Sequence, residues 1–246
     1  NHANSPRLVA SNNKLYLFWN ETNGTASQIR ARVYNGNDSN PTWTSVDGGG
    51  TNGINKNSAK GASSPVPISF NGKLYVTWNE TGSTATQIRV AAYDGNDTAP
   101  TWQFVDGNGT NGLNIDTTRA AQGTNFAVLG DDLCLIWREF NSAAAQVLVA
   151  RYSGSDAAPQ WTFIDGNSTN GLNYSSSQNA TNPKLHVFNE RLYAFWEERN
   201  SASVDQIRAA VWQGGSWWGF VDGGADKGLN KDSVRTALTP FPSTFN

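Results

Sequence analysis

Three residue types recur at fixed places in this sequence and could act together on a ligand. Glu21, Glu80, Glu139 and Glu198 each stand two residues after a tryptophan, namely Trp19, Trp78, Trp137 and Trp196. Arginines follow at Arg30, Arg89 and Arg208, while the third copy has Leu148 in that place. Residues two apart on a strand point the same way, so each Trp and Glu would share a face. An aromatic face stacks on the apolar side of a sugar, and a Glu/Arg pair hydrogen-bonds its hydroxyls at fixed angles. The pattern therefore predicts a set of similar shallow pockets, one per repeat or repeat junction. A second reading stays open beside it. Glu21 and Arg30 flank a hairpin and would then form a cross-strand ion pair worth at most ~1 kcal/mol, with the tryptophans as plain packing.

No catalytic residue is predicted. His2 and His186 are the only histidines, and neither lies near a candidate nucleophile. A catalytic centre is built from unlike residues, whereas this chain repeats like ones, so the expectation is a non-enzymatic protein. Asp106, Asn108 and Thr110 alternate as ligands do in hard-cation loops. One carboxylate per loop falls short of what Ca²⁺, with about six to eight oxygen ligands, demands. Such segments read instead as glycine-rich crossovers held by Asn side-chain bonds to the backbone. Neither a metal nor a cofactor is implied.

The elements that must position these residues are set by a period. KLYLFWNE, KLYVTWNE, DLCLIWRE and RLYAFWEE recur with their tryptophans 59 residues apart, the signature of one supersecondary unit stacked on copies of itself. Each copy parses into four short strands. The first follows Ser5-Pro6 and its equivalents. A tight hairpin at Asn12-Asn13, Asn71-Gly72, Gly130-Asp131 or Asn189-Glu190 leads into the second, which is apolar on both faces. The third opens at Gln28, Gln87, Gln146 and Gln206, and the fourth carries Trp43, Trp102, Trp161 and Trp218. Long polar segments such as VDGNGTNGLN return to the next copy. Four strands with both faces apolar is what a β-propeller blade requires. The prediction is an all-β propeller of four-stranded antiparallel blades in one domain, 1–246, with repeats at about 1–59, 60–118, 119–177 and 178–234. A spare first strand at 235–246 aligns with the start of the other copies. Three outcomes follow for that strand: a cut from a longer propeller, packing outside the ring, or donation to a neighbouring molecule.

The third hairpins, YNGNDSNPTW, YDGNDTAPTW and YSGSDAAPQW, place Asp38, Asp97 and Asp156 five residues before a tryptophan. This resembles the Asp-box of sialidase-like propellers, where it joins the third and outermost strands. The usual glycine two residues after the Asp is Asn40, Ala99 or Ala158 here, and the fourth copy lacks the Asp. The repeated aromatic–Glu–Arg set, with the runs QIRARVY and QIRVAAY, is similar to that of the six-bladed fucose-binding lectins. That resemblance implies sugars held between blades, although the period of 59 is longer than that family's.

Composition narrows the function classes. The chain of 246 residues carries a net charge of −2 with both signs dispersed, so no footprint for nucleic acid or an anionic membrane is present. No apolar run approaches the ~20 residues that span a bilayer. The lone Cys134 excludes an intrachain disulfide and reads as a buried, inert thiol. The absence of methionine reads as a processed product or a piece of a longer gene. Asn20, Asn23, Asn37, Asn79, Asn96, Asn108, Asn167, Asn173 and Asn179 head glycosylation sequons. The expectation is a secreted or cell-surface, lectin-like module that binds glycans multivalently. The alternative is a structural or adhesive module that self-associates through its terminal strand.

Overall fold

The computed structural model describes residues 2–107, 111–166 and 170–242. Sixteen strands form four antiparallel sheets, each a meander of four in chain order. The first sheet holds β1 (Ala3–Ser11), β2 (Lys14–Thr22), β3 (Ser27–Tyr34) and β4 (Trp43–Ser45). The second holds β5 (Ala62–Phe70), β6 (Lys73–Thr81), β7 (Thr86–Tyr93) and β8 (Trp102–Phe104). The third comprises β9 (Ala121–Leu129), β10 (Asp132–Phe140), β11 (Ala145–Ser155) and β12 (Ala158–Phe163). The fourth comprises β13 (Ala180–Phe188), β14 (Arg191–Arg199), β15 (Asp205–Gly214) and β16 (Trp217–Phe220). These are the propeller blades that the period predicts. The one helical turn among the described residues is a 3₁₀ segment at Ala225–Lys227.

Local chemistry explains the meander. Asn12 and Asn13, Asn71 and Gly72, and Asn189 and Glu190 all have positive φ, the geometry a two-residue hairpin needs to match strand twist. Every first strand carries a bulge at its second turn of pleat, where Ser5, Ser64, Gly123 and Asn182 take positive φ just before Pro6, Pro65, Thr124 and Pro183. Proline cannot donate to the ladder, so the bulge and the proline occur together on this edge strand. Thr239 repeats the positive φ before Pro240. Residues 236–242 nonetheless carry no strand, and the remainder of the expected spare strand, 243–246, lies outside the described residues.

The chain divides into two compact units, Asn1–Leu113 with Gly154–Gln160, and Asn114–Ser153 with Trp161–Asn246. In the first, Phe18, Ile29 and Val46 of the first repeat interlock with Leu74, Val76 and Trp78 of the second. In the other, Ile136, Val149 and Ile164 interlock with Leu185, Ala194 and Trp196. β6 and β10 thus bury both faces, as an unbroken apolar run requires, whereas β2 at Leu15, Leu17 and Trp19 and β14 at Tyr193 and Phe195 keep one face only half-buried. The outer tryptophans fasten the same junctions, with Trp102 Nε1 donating to Val46 O at 2.7 Å and Trp218 Nε1 to Ile164 O at 2.6 Å.

Candidate functional site

The repeated glutamates and tryptophans do meet, inside the fold. Trp78, Trp137 and Trp196 are 0% exposed, so none of them offers a ring face to a ligand. Each donates its indole N–H to the glutamate two residues on: Trp78 to Glu80 at 3.0 Å, Trp137 to Glu139 at 3.3 Å, Trp196 to Glu198 at 2.8 Å. The same carboxylates take two successive backbone N–H groups from the crossover preceding their own blade. Glu80 accepts from Lys56 and Asn57, Glu139 from Ile115 and Asp116, Glu198 from Tyr174 and Ser175. A buried carboxylate must be hydrogen-bonded, and here its donors are loop amides that would otherwise be orphaned. Burial pushes Glu139 and Glu198 above the usual glutamate range, against the downward pull of these hydrogen bonds. Glu21 differs. Trp19 donates to it at 2.8 Å, no backbone N–H of the described residues reaches it, and both residues are half-buried.

The arginines pair with aspartates rather than with these glutamates. Arg89 reaches Asp106 at 3.0 Å and Arg208 reaches Asp222 at 2.9 Å, both pairs almost fully enclosed. Arg30 reaches Asp47 at 3.3 Å and also donates to the carbonyls of Gly50 and Thr51. Arg208 further lies over the Tyr174 ring at 4.3 Å. Each arginine stands opposite the strand-two tryptophan across the ladder, so its guanidinium holds the start of the crossover beneath the blade. In the third copy Leu148 fills this place, buried, and Asp165 accepts from Val149 N at 3.4 Å.

The NGLN end of the crossover is fixed by two residues. Asn55, Asn173 and Asn230 accept from the N–H of Ile29, Val147 and Ile207 and donate to the carbonyl five residues on. The glycine two before each Asn lies flat on strand three. A Cβ at Gly53, Gly112, Gly171 or Gly228 would fall 2.0–2.5 Å from the carbonyl oxygen of Ile29, Ile88, Val147 or Ile207. Only glycine permits that approach.

Asp106 is engaged with Arg89, and the other two residues of the calcium-like alternation, Asn108 and Thr110, lie outside the described residues. Among the described residues no group of three or more His, Cys, Asp or Glu could hold a metal ion. Asn167 likewise falls outside the description, while Asn173 spends its whole amide on the backbone. Asp97 takes Tyr93 Oη at 2.8 Å from its own blade and Lys14 Nζ at 2.5 Å from the first. Asp156 does the same for Lys73 and Tyr75 of the second blade. Cys134 is buried, and that burial pushes its thiol up to about 12.

One position breaks the symmetry in a way the repeated pattern hides. The residue between the strand-two Trp and Glu is Asn20, then Asn79, then Arg138, then Glu197. Arg138 and Glu197 interact electrostatically, Glu197 opposing the fall that burial imposes on the Arg138 ionisation. Glu197 is buried and accepts from Thr181 Oγ1 at 2.9 Å, from Asn182 Nδ2 at 2.8 Å, and from the N–H of Thr239. Beside Arg138 the bulge residue is Gly123, and a Cβ there would meet Pro183 Cδ at 3.7 Å and Arg138 Cγ at 4.0 Å. Two unlike charges thus stand on β10 and β14, paired across the ladder with β9 and β13. The signal was present in the sequence as an Asn-Asn-Arg-Glu series inside an otherwise uniform run.

No protein-family profile matches the chain, and no curated protein matches it. Solved structures do. Trypanosoma rangeli sialidase in complex with the inhibitor DANA is similar at a TM-score of 0.55 and 10% identity, over 90% of this chain and 38% of that one. A thermostable family-43 glycoside hydrolase is similar at 0.51 and 12% identity, over 91% and 73%. A polysaccharide lyase is similar at 0.51 and 12% identity, over 88% and 48%. At these identities the likeness is one of fold, and the fold is that of sialidase-like and family-43 propellers. The expectation of a non-enzymatic lectin-like or structural module is corrected by this finding, because the similar chains are carbohydrate-active enzymes. Repeated residues had argued against catalysis, but a propeller's repeats build its blades and leave single positions free to differ.

Proposed function

We propose that this protein acts on carbohydrate, with Arg138 and Glu197 as the charged pair at its working centre. The observation that carries the reading is the broken symmetry of that one position. Three of the four copies devote their glutamate, and three their arginine, to holding crossovers, whereas Arg138 and Glu197 belong to no repeated bond. Glu197 supplies a carboxylate fixed by three hydrogen bonds, and Arg138 a cation that interacts with it electrostatically, the kind of preorganised charge a glycan-cleaving site uses. Likeness to a sialidase, a glycoside hydrolase and a polysaccharide lyase supports carbohydrate as the substrate class. A secreted or cell-surface location suits a protein that meets polymers of this kind.

The test is a panel of neutral, uronate-containing and sialylated polymers, assayed for new reducing ends and for unsaturated products. Wild-type protein is expected to release product from one class, and Glu197→Gln or Arg138→Met to abolish release while retaining the wild-type thermal transition. Absence of product across the whole panel, or full activity in Glu197→Gln, refutes the reading.

A further inference from the structure

The first-strand bulge carries a second departure from the repeat, and it lies beside Arg138. Ser5, Ser64 and Asn182 hold that bulge at φ values of 56°, 57° and 50°, so its backbone accepts a side chain. The third copy has Gly123 there, at φ 77°. Packing does not demand glycine either. A Cβ at Gly123 would stand at ordinary contact distance, 3.7 Å from Pro183 Cδ and 4.0 Å from Arg138 Cγ. The crossover glycines differ in this respect, since a Cβ on any of them would strike a carbonyl oxygen. What Gly123 does is leave space next to Arg138.

The fourth copy shows what a side chain at this place does. Asn182 donates through Nδ2 to Glu197 at 2.8 Å and so occupies the charged residue of its own blade. Gly123 offers Arg138 nothing comparable. Among the described residues no acceptor hydrogen-bonds to the Arg138 guanidinium, which lies 5.6 Å from the centre of the Phe140 ring. Glu197 acts on it through space, its own oxygens being taken up by Thr181, Asn182 and Thr239. Burial pulls the Arg138 ionisation below the ordinary arginine range, and Glu197 restores only part of that fall. A half-buried cation that lacks full compensation and has unused N–H donors is a receptor for an anion.

We infer that Gly123 sets the specificity of this site by keeping the Arg138 guanidinium open to the carboxylate of an acidic sugar. The planar fork of arginine matches a carboxylate through two parallel hydrogen bonds. This rests on the reading of Arg138 and Glu197 as the working centre and names its substrate class, glycans that carry uronate or sialate. A neutral glycan brings hydroxyls but no countercharge, so it leaves the deficit at Arg138 unmet.

The experiment is equilibrium binding to the 246-residue chain, which needs no turnover. The probes are polygalacturonate, alginate and hyaluronan, each beside its carboxyl-reduced form, and sialyllactose beside lactose. Wild-type protein is expected to bind at least one acidic member about tenfold or more tightly than its neutral partner, and the two groups of probes separate uronate from sialate. Gly123→Asn carries the residue of the fourth copy and Gly123→Ser that of the first two. Both are expected to keep the wild-type thermal transition and to lose the acidic preference, as is Arg138→Met. Absence of any acidic preference in wild-type protein overturns the inference, and turnover of a neutral glycan would then leave the proposed function intact. A folded Gly123→Asn or Gly123→Ser chain that keeps the preference overturns it as well. An acidic preference lost in these variants, in a chain that cleaves nothing, supports the inference and removes the catalytic reading instead.

Discussion

Glu198→Ala and Glu21→Ala change the same residue at the same point of the repeat, yet they should differ several-fold in cost. Glu198 is 2% exposed and accepts from Tyr174 N at 2.9 Å, Ser175 N at 2.7 Å and Trp196 Nε1 at 2.8 Å. Alanine leaves those three donors facing a small void. An unsatisfied buried donor costs about 1–3 kcal/mol, and the two loop amides recover part of that by relaxing toward water, which puts the loss near 3 kcal/mol. Among the described residues Glu21 accepts from Trp19 alone, and it is half-buried, so its loss should be about 0.5–1 kcal/mol. Urea unfolding followed by tryptophan fluorescence, at concentrations where the chain is monomeric, measures both. With a slope of about 1–3 kcal/mol/M, Glu198→Ala should lower the midpoint by roughly 1–3 M and Glu21→Ala by a third of that or less. Equal shifts, or a loss below about 1 kcal/mol for Glu198→Ala, would refute the claim that loop amides rather than residue type give this glutamate its weight.

Gly171→Ala should destabilise by about 3 kcal/mol, because its Cβ would lie 2.1 Å from Val147 O, whereas Gly95→Ala, with open space around it, should cost only about 1 kcal/mol for its positive φ. Denaturant midpoints compare the two. Asp106→Asn takes the opposite charge away from the enclosed Arg89 and should cost about 3–5 kcal/mol, while Arg89→Leu combined with Asp106→Asn should recover much of that, as the third copy already carries Leu148 in the arginine's place. Glu139 and Glu198 have folded-state pKa values raised from 4.5, chiefly by burial, so the folded chain holds those protons more tightly. Their contribution to stability is fully present below pH 4.5 and is lost as pH rises through the raised folded values. Unfolding midpoints across that window should show the decline, and Glu198→Gln should flatten part of it. Cys134 should stay unmodified by a thiol reagent in native buffer and react at once in denaturant, since it is 0% exposed with a thiol pushed up to about 12.

How far the sequence reached is clearest at two places. Asn12-Asn13 and Asn189-Glu190 could be read as hairpins because a two-residue turn depends on the φ of its own residues, and both turns have the predicted sign. The apolar runs in β2, β6, β10 and β14 could be read as strands for a similar reason, since alternation is a property of neighbours along the chain, but burial of both faces holds for β6 and β10 and not for β2 or β14. The pairing of Trp with Glu was legible too, two residues apart on one strand. What surrounds that pair was not. The carboxylate's other partners sit 23 and 24 residues earlier in the chain, in segments whose own residue types, Lys56 and Asn57 or Tyr174 and Ser175, give no sign of the contact.

The arginines show the same division. Arg30, Arg89 and Arg208 were visible as a series, but their partner depends on which loop folds beneath strand three, and that loop offers Asp47, Asp106 and Asp222. From sequence alone the repeat, its strands, its turns and the glycine punctuation follow, because each rests on local stereochemistry. The burial that encloses Trp78 and Trp196 and the interaction of Arg138 with Glu197 belong to tertiary structure alone. Identical local sequences acquire different solvent exposure and different donors only when a second surface is laid against them, and no spacing along one strand encodes where that surface comes from.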